Sequence, residues 1–141
     1  MGLERDGPAA EYRFEQIRAG HDRARVALVL SLSGKIPLEV LPTEIDDSFA
    51  MYELTLANLE PGPTFLRTKE DLTRFKDAYQ AAVRAILRDH GNIEVIHMFP
   101  AVPAPIAVLC GRELLPKVDP ALLVYDYDKR TGGFTPTLRV H

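Results

Sequence analysis

The seven residues Val26–Leu32, "VALVLSL", constrain this chain more than any other stretch. Their apolar character is almost unbroken, with none of the alternation of a half-exposed strand. A strand of that kind must be covered on both faces, as happens at the centre of an open α/β sheet. Ser33-Gly34-Lys35 supplies turn chemistry immediately after it. Two more apolar runs can join such a strand. "SFAMYELTLAN" alternates imperfectly through Phe49, Met51, Leu54 and Leu56 and reads as a second strand; "NIEVIHMF" reads as a third.

Between those two strands lies a long amphipathic helix, expected from about Lys69 to Asp89. Leu72, Phe75, Tyr79, Ala82 and Ile86 recur at helical spacing, while Arg74, Asp77, Arg84 and Arg88 mark the opposite side. Thr68 is placed to cap its start, acids follow in the first turn, and Gly91 is placed to end it. A Pro-studded elbow at Pro100, Pro103 and Pro105 follows the third strand, and a second, almost uncharged helix is expected over about Ala104–Leu115. "LLVYDYD" and "FTPTLRV", joined by "KRTGG", read as a terminal hairpin whose last strand lies at an edge because of Pro136. Residues 1–24 are polar and interrupted by Gly7, Pro8 and Gly20, so they read as an arm or a fragment of a preceding element, with Tyr12, Phe14 and Ile17 forming at most one packed turn.

The expected fold is therefore α/β: a Rossmann-like open sheet with crossing helices and a C-terminal antiparallel hairpin, over residues 25–141. In such sheets a ligand sits outside the carboxyl ends of the strands. Two corners qualify, Ser31–Lys35 and His97–Pro105. In the first, a hydroxyl, an unobstructed glycine amide and a lysine suit a phosphate, although the pattern is no Walker loop; a turn with a solvated lysine fits equally. In the second, stiff prolines and the small residues Ala101, Ala104, Ala107 and Gly111 permit close approach, either of a nucleotide or of a helix packing on the sheet. His97 is either a hydrogen-bonded structural residue or a group that stacks on a base.

Composition narrows the chemistry. A net charge of −3 supplies no basic face for duplex nucleic acid. Cys110 is the only cysteine, so no disulfide framework is expected, and His21, His90, His97 and His141 are too scattered for zinc. Glu44, Asp46 and Asp47 either hold magnesium or form a solvated loop. No nucleophile–base set stands out and no cofactor is expected. With neither an apolar leader nor a run long enough to span a bilayer, the chain is expected to be cytoplasmic, without direct membrane insertion.

Several motifs together carry a family resemblance. "ALVLSLSGKI", His97-x-Phe99-Pro100-Ala101-x-Pro103-x-x-x-Ala107, the pair Gly111-Arg112 and the link Pro116-Lys117-Val118-Asp119-Pro120 resemble the C-terminal part of SAVED domains over roughly residues 23–140. That resemblance implies a sensor of cyclic oligonucleotide second messengers in anti-phage immunity, of the CBASS or type III CRISPR kind. It implies a cyclic oligoadenylate or mixed-base ring as ligand, and an effector domain or subunit from the same operon as partner. The chain is short for a two-lobed SAVED domain, so it is expected to be an excised fragment, a stand-alone half that works as a homo-oligomer, or a subunit of a hetero-complex with a separate effector. The ligand-facing positions it implies are Ser31, Ser33, Gly34 and Lys35, with His97, Phe99, Pro100, Ala101 and Pro103. The alternatives are a ring nuclease that degrades the messenger and a structural subunit of an effector.

Overall fold

The computed structural model describes residues 11–32, 34, 36–58, 69–91, 93–101, 121–128, 130 and 133–140. Six strands, β1 (Tyr12–Arg18), β2 (Val26–Ser31), β3 (Ala50–Leu56), β4 (Val95–Ala101), β5 (Ala121–Asp128) and β6 (Gly133–Val140), form one sheet in the order β1-β3-β2-β4-β5-β6. β3, β2, β4 and β5 run parallel, and an antiparallel strand closes each edge. The mixed α/β architecture and the C-terminal antiparallel pair agree with the sequence reading.

Two apolar layers flank the sheet, and the strands' period of two sorts side chains between them. Val26, Leu28 and Leu30 of β2 face the helix α1 (Lys69–His90), together with Tyr52, Leu54, Ile96, Met98 and Leu122. Phe75, Tyr79, Val83 and Ile86 of α1 pack down on them. Ala27 and Val29 face the other way, with Met51, Phe99 and Tyr125, beneath Ile36, Val40, Leu41, Ile45 and Phe49. Every residue of β2 is fully buried, as its unbroken apolar run requires. At the end of α1, Gly91 takes a left-handed φ of 78°, and its N–H donates to the Leu87 carbonyl at 2.9 Å, closing the last turn.

Two elements differ from expectation. Tyr12–Arg18 is a strand of the sheet where the sequence suggests an arm with at most one packed turn. It pairs antiparallel with β3 from Tyr12↔Leu56 to Arg18↔Met51, with a bulge between Gln16 and Arg18. Its composition is polar because an edge strand covers the core with only one face; Tyr12 and Phe14 are its contribution, Phe14 stacking on Tyr52 at 5.4 Å. The second difference is the end of β4, which runs through Pro100 to Ala101 instead of turning at the proline. β5 pairs with β4 only as far as Met98. Pro100 therefore lies on a local edge, where a missing N–H costs little. The second helix expected at Ala104–Leu115 lies outside the described residues.

Candidate functional site at the carboxyl rim

Strand order alone singles out one crevice. The chain passes from β2 to its neighbour β3 on one side, then through α1 to β4 on the other side of β2. The segment leaving β2 covers one face of the sheet, whereas α1, leaving β3, covers the opposite face. The direction of winding thus reverses between β2 and β4, and open α/β sheets form their ligand crevice where this happens. Ser31, the last residue of β2, is the register partner of Ala101, the last residue of β4, and Leu30 is the partner of Pro100. Two corners far apart in the sequence are neighbours on one rim.

The β2 end of that rim is held firmly. Ser31 is also the register partner of Thr55 in β3. The Thr55 hydroxyl donates to the Ser31 carbonyl at 2.7 Å, and the Ser31 hydroxyl donates to Glu53 Oε2 at 2.7 Å. All three residues are buried, and their side chains point away from α1. A buried carboxylate needs such hydrogen bonding to offset its lost hydration. Beyond Ser31, Leu32 is buried, and a Cβ built on Gly34 meets nothing within 4 Å among the described residues. Neither those residues nor a left-handed φ requires a glycine at that position.

At β4 the expected residues separate by depth. Pro100 and Ala101 are half-buried at the rim, whereas Phe99 is fully buried, stacked on Tyr125 at 4.3 Å and edge-on to Phe134 at 5.4 Å. His97 lies four residues back from Ala101, about 13 Å along the strand, level with Ala27 of β2. Its Nδ1 shares a hydrogen bond of 2.9 Å with the Tyr125 hydroxyl, and its ring meets Phe49 edge-on at 5.1 Å. Burial, with Glu44 nearby, pushes the Tyr125 phenol above its ordinary value. The structure thus gathers Ser31, Gly34, Pro100 and Ala101 at the rim and sets His97 and Phe99 below it. Ser33, Lys35 and Pro103 lie outside the described residues.

Glu53 and Thr55 escape a reading of motifs because they sit inside a strand. The one available signal is that the two polar residues of "MYELTL" share a strand face with the apolar Met51. Glu44, Asp46 and Asp47 show ordinary loop chemistry. Asp46 Oδ1 accepts the Ser48 hydroxyl at 2.6 Å and the Ser48 N–H at 2.9 Å, which lowers its pKa, while Asp47 pairs with Arg18 at 3.7 Å. Among the described residues no cluster of His, Cys, Asp or Glu has the arrangement of a metal site.

A second concavity, about 430 Å³, lies at the amino-terminal rim. Its floor is a hydrogen-bonded relay. Gln16 Nε2 donates to the Tyr52 hydroxyl at 3.3 Å, Tyr52 lies 2.8 Å from His90 Nε2, and His90 Nδ1 lies 2.9 Å from the Arg23 carbonyl. A carbonyl only accepts, so Nδ1 carries the proton and Nε2 accepts from Tyr52. Burial, then Asp89, raises the Tyr52 pKa. The relay ties β1, β3 and the end of α1 together.

Comparison with known proteins adds the family. Residues 3–140 match the family model SAVED, described as "SMODS-associated and fused to various effectors sensor domain". No curated protein sequence matches the chain. Among solved structures, the Acinetobacter baumannii Cap4 SAVED/CARF-domain containing receptor with the cyclic trinucleotide 2'3'3'-cAAA aligns with a TM-score of 0.65 and 14% identity, over 96% of this chain and 28% of that one. The same receptor with 3'3'3'-cAAA aligns with a TM-score of 0.57 and 15% identity, over 89% of this chain and 27% of that one. This chain thus spans a little over a quarter of those receptors' length. At such identities the likeness is one of fold.

Proposed function

The chain belongs to the SAVED family, and on that premise we propose that its β2/β4 rim binds part of a cyclic oligonucleotide. The observation that carries the reading is the meeting of Ser31 and Ala101 at the switch point of the sheet. Among the described residues nothing crowds Gly34, which supports a close approach of ligand to the main chain there. In this reading Gly34, with Ser33 and Lys35, faces phosphate or ribose, and Pro100, Ala101 and Pro103 form a stiff wall against a base. Phe99 supports that wall from below, and His97, bonded to Tyr125, packs the layer beneath it. Ser31 anchors the corner.

One such rim covers part of a ring, and a second half of the same kind, in the same or another polypeptide, covers the rest. Binding in turn assembles or activates an associated anti-phage effector. Thermal unfolding with a panel of cyclic di-, tri- and tetranucleotides tests the reading. A ring present at a hundred times its Kd stabilises the fold by about 2.7 kcal/mol, which is expected of at least one member. Failure of every ring to shift Tm at millimolar concentration contradicts it. Turnover of a radiolabelled ring to linear product in proportion to protein would replace the sensor with a ring nuclease.

A further inference from the structure

We infer that Glu53 and Thr55 are positioning residues for the rim, setting ligand affinity through Ser31 without touching the ligand; this rests on the binding reading above. The inference starts from the way Ser31 is held. β3 takes both polar ends of this one residue, the carbonyl through the Thr55 hydroxyl and the hydroxyl through the Glu53 carboxylate. Both bonds are 2.7 Å long and both lie in the buried layer. Ser31 is the last residue of β2, so whatever fixes it fixes where the next residues leave the sheet.

The donor count has a chemical consequence. A serine hydroxyl has one proton, and that of Ser31 is committed to a carboxylate oxygen. Ser31 is therefore no phosphate donor, and phosphate contacts at this corner come from residues beyond it. A corner fixed before the ligand arrives loses less conformational freedom on binding. Loosening the anchor must then appear as weaker binding, even where the fold survives.

The test uses the full chain with 2'3'3'-cAAA and 3'3'3'-cAAA as probes, the wild type and the variants Thr55→Val, Thr55→Ser, Glu53→Gln and Glu53→Leu. Thr55→Val keeps the shape and removes the donor; Thr55→Ser keeps the donor; Glu53→Gln keeps an acceptor for the Ser31 proton. Calorimetry under conditions where each variant is fully folded is expected to show Thr55→Val binding about five- to tenfold more weakly, in line with one lost buried hydrogen bond. Thr55→Ser and Glu53→Gln should stay within about twofold of wild type, whereas Glu53→Leu, which removes the acceptor, should bind about five- to tenfold more weakly. Amide hydrogen exchange without ligand should accelerate at Leu32 and Gly34 in Thr55→Val and remain unchanged in the middle of α1. Faster exchange at those amides with unchanged affinity overturns the role in ligand positioning. Unchanged exchange at Leu32 and Gly34 overturns the anchor itself. Wild type that binds neither ring, with the exchange result as expected, leaves the anchor standing and removes its proposed consequence for binding.

Discussion

Ser31 and Ala101 face each other in register at the ends of β2 and β4. The winding of the sheet reverses between these two strands, the point at which open α/β sheets form a ligand crevice. In the proposed reading, strand connectivity locates the site and the chemistry of the rim selects what fits there. Pro100 and Ala101 end one of the two strands, and Ser31, bonded to Glu53 and Thr55, ends the other.

Two glycines separate structural from functional need. Gly20 has a φ of 76°, and a Cβ on it would lie 2.4 Å from the Ala50 nitrogen, closer than any contact a backbone tolerates. Gly20→Ala should destabilise the protein by roughly 1–3 kcal/mol. A Cβ on Gly34 meets none of the described residues, so Gly34→Ala should stay within about 0.5 kcal/mol of wild type while weakening ring binding. Urea denaturation and calorimetry on the two variants measure both effects. A large loss of stability in Gly34→Ala would show that the corner is packed after all.

The edge strand β1 should contribute to stability. Phe14 stacks on Tyr52 and packs against the helix-side core, so Phe14→Ala is expected to cost roughly 1.5–3 kcal/mol, less than a fully buried phenylalanine. A change under about 0.5 kcal/mol in urea denaturation would return Tyr12–Arg18 to the status of a dispensable arm.

What could be read from the residues followed burial. β2 was legible because no other placement satisfies a seven-residue run in which only Ser31 is polar, and α1 because its stripe and Gly91 agree. β1 was not, since an edge strand has one face to bury and its alternation drowns among charges. The end of β4 was misplaced because proline breaks a strand only where a ladder bond is needed, and β5 has already stopped pairing at Met98. That two-residue extension moved the rim from His97 toward Ala101. Glu53 gave little signal because an acid in a buried strand reads as a flaw in the pattern until Ser31 is found beside it.

His97 offers a direct contrast with the rim. Held by Tyr125 and Phe49 well below Ala101, it is expected to matter for packing. Tyr125→Phe, which removes the hydroxyl partner, should cost about 1 kcal/mol and leave ring affinity within about twofold. A tenfold loss of affinity in Tyr125→Phe by calorimetry would place His97 in the ligand's path.

Alkaline pH should weaken the fold through two phenols. Burial raises Tyr52 and Tyr125 above the ordinary value of 10.0. An acid whose folded-state value is raised contributes fully below its unfolded value. That contribution is lost as pH climbs from there through the folded value. Stability should therefore begin to fall near pH 10, and Tyr52→Phe combined with Tyr125→Phe should flatten the decline. Denaturation midpoints from pH 8 to 11 measure it, and an identical slope in the double variant would contradict the assignment.

The central claim is a location, and amide chemical-shift mapping of the labelled protein during titration with 2'3'3'-cAAA tests it most directly. The account predicts the largest shifts at Leu32, Gly34 and Ala101, with Gln16, Tyr52 and His90 undisturbed. Shifts concentrated at the amino-terminal cleft, or none at saturating ring, would contradict it.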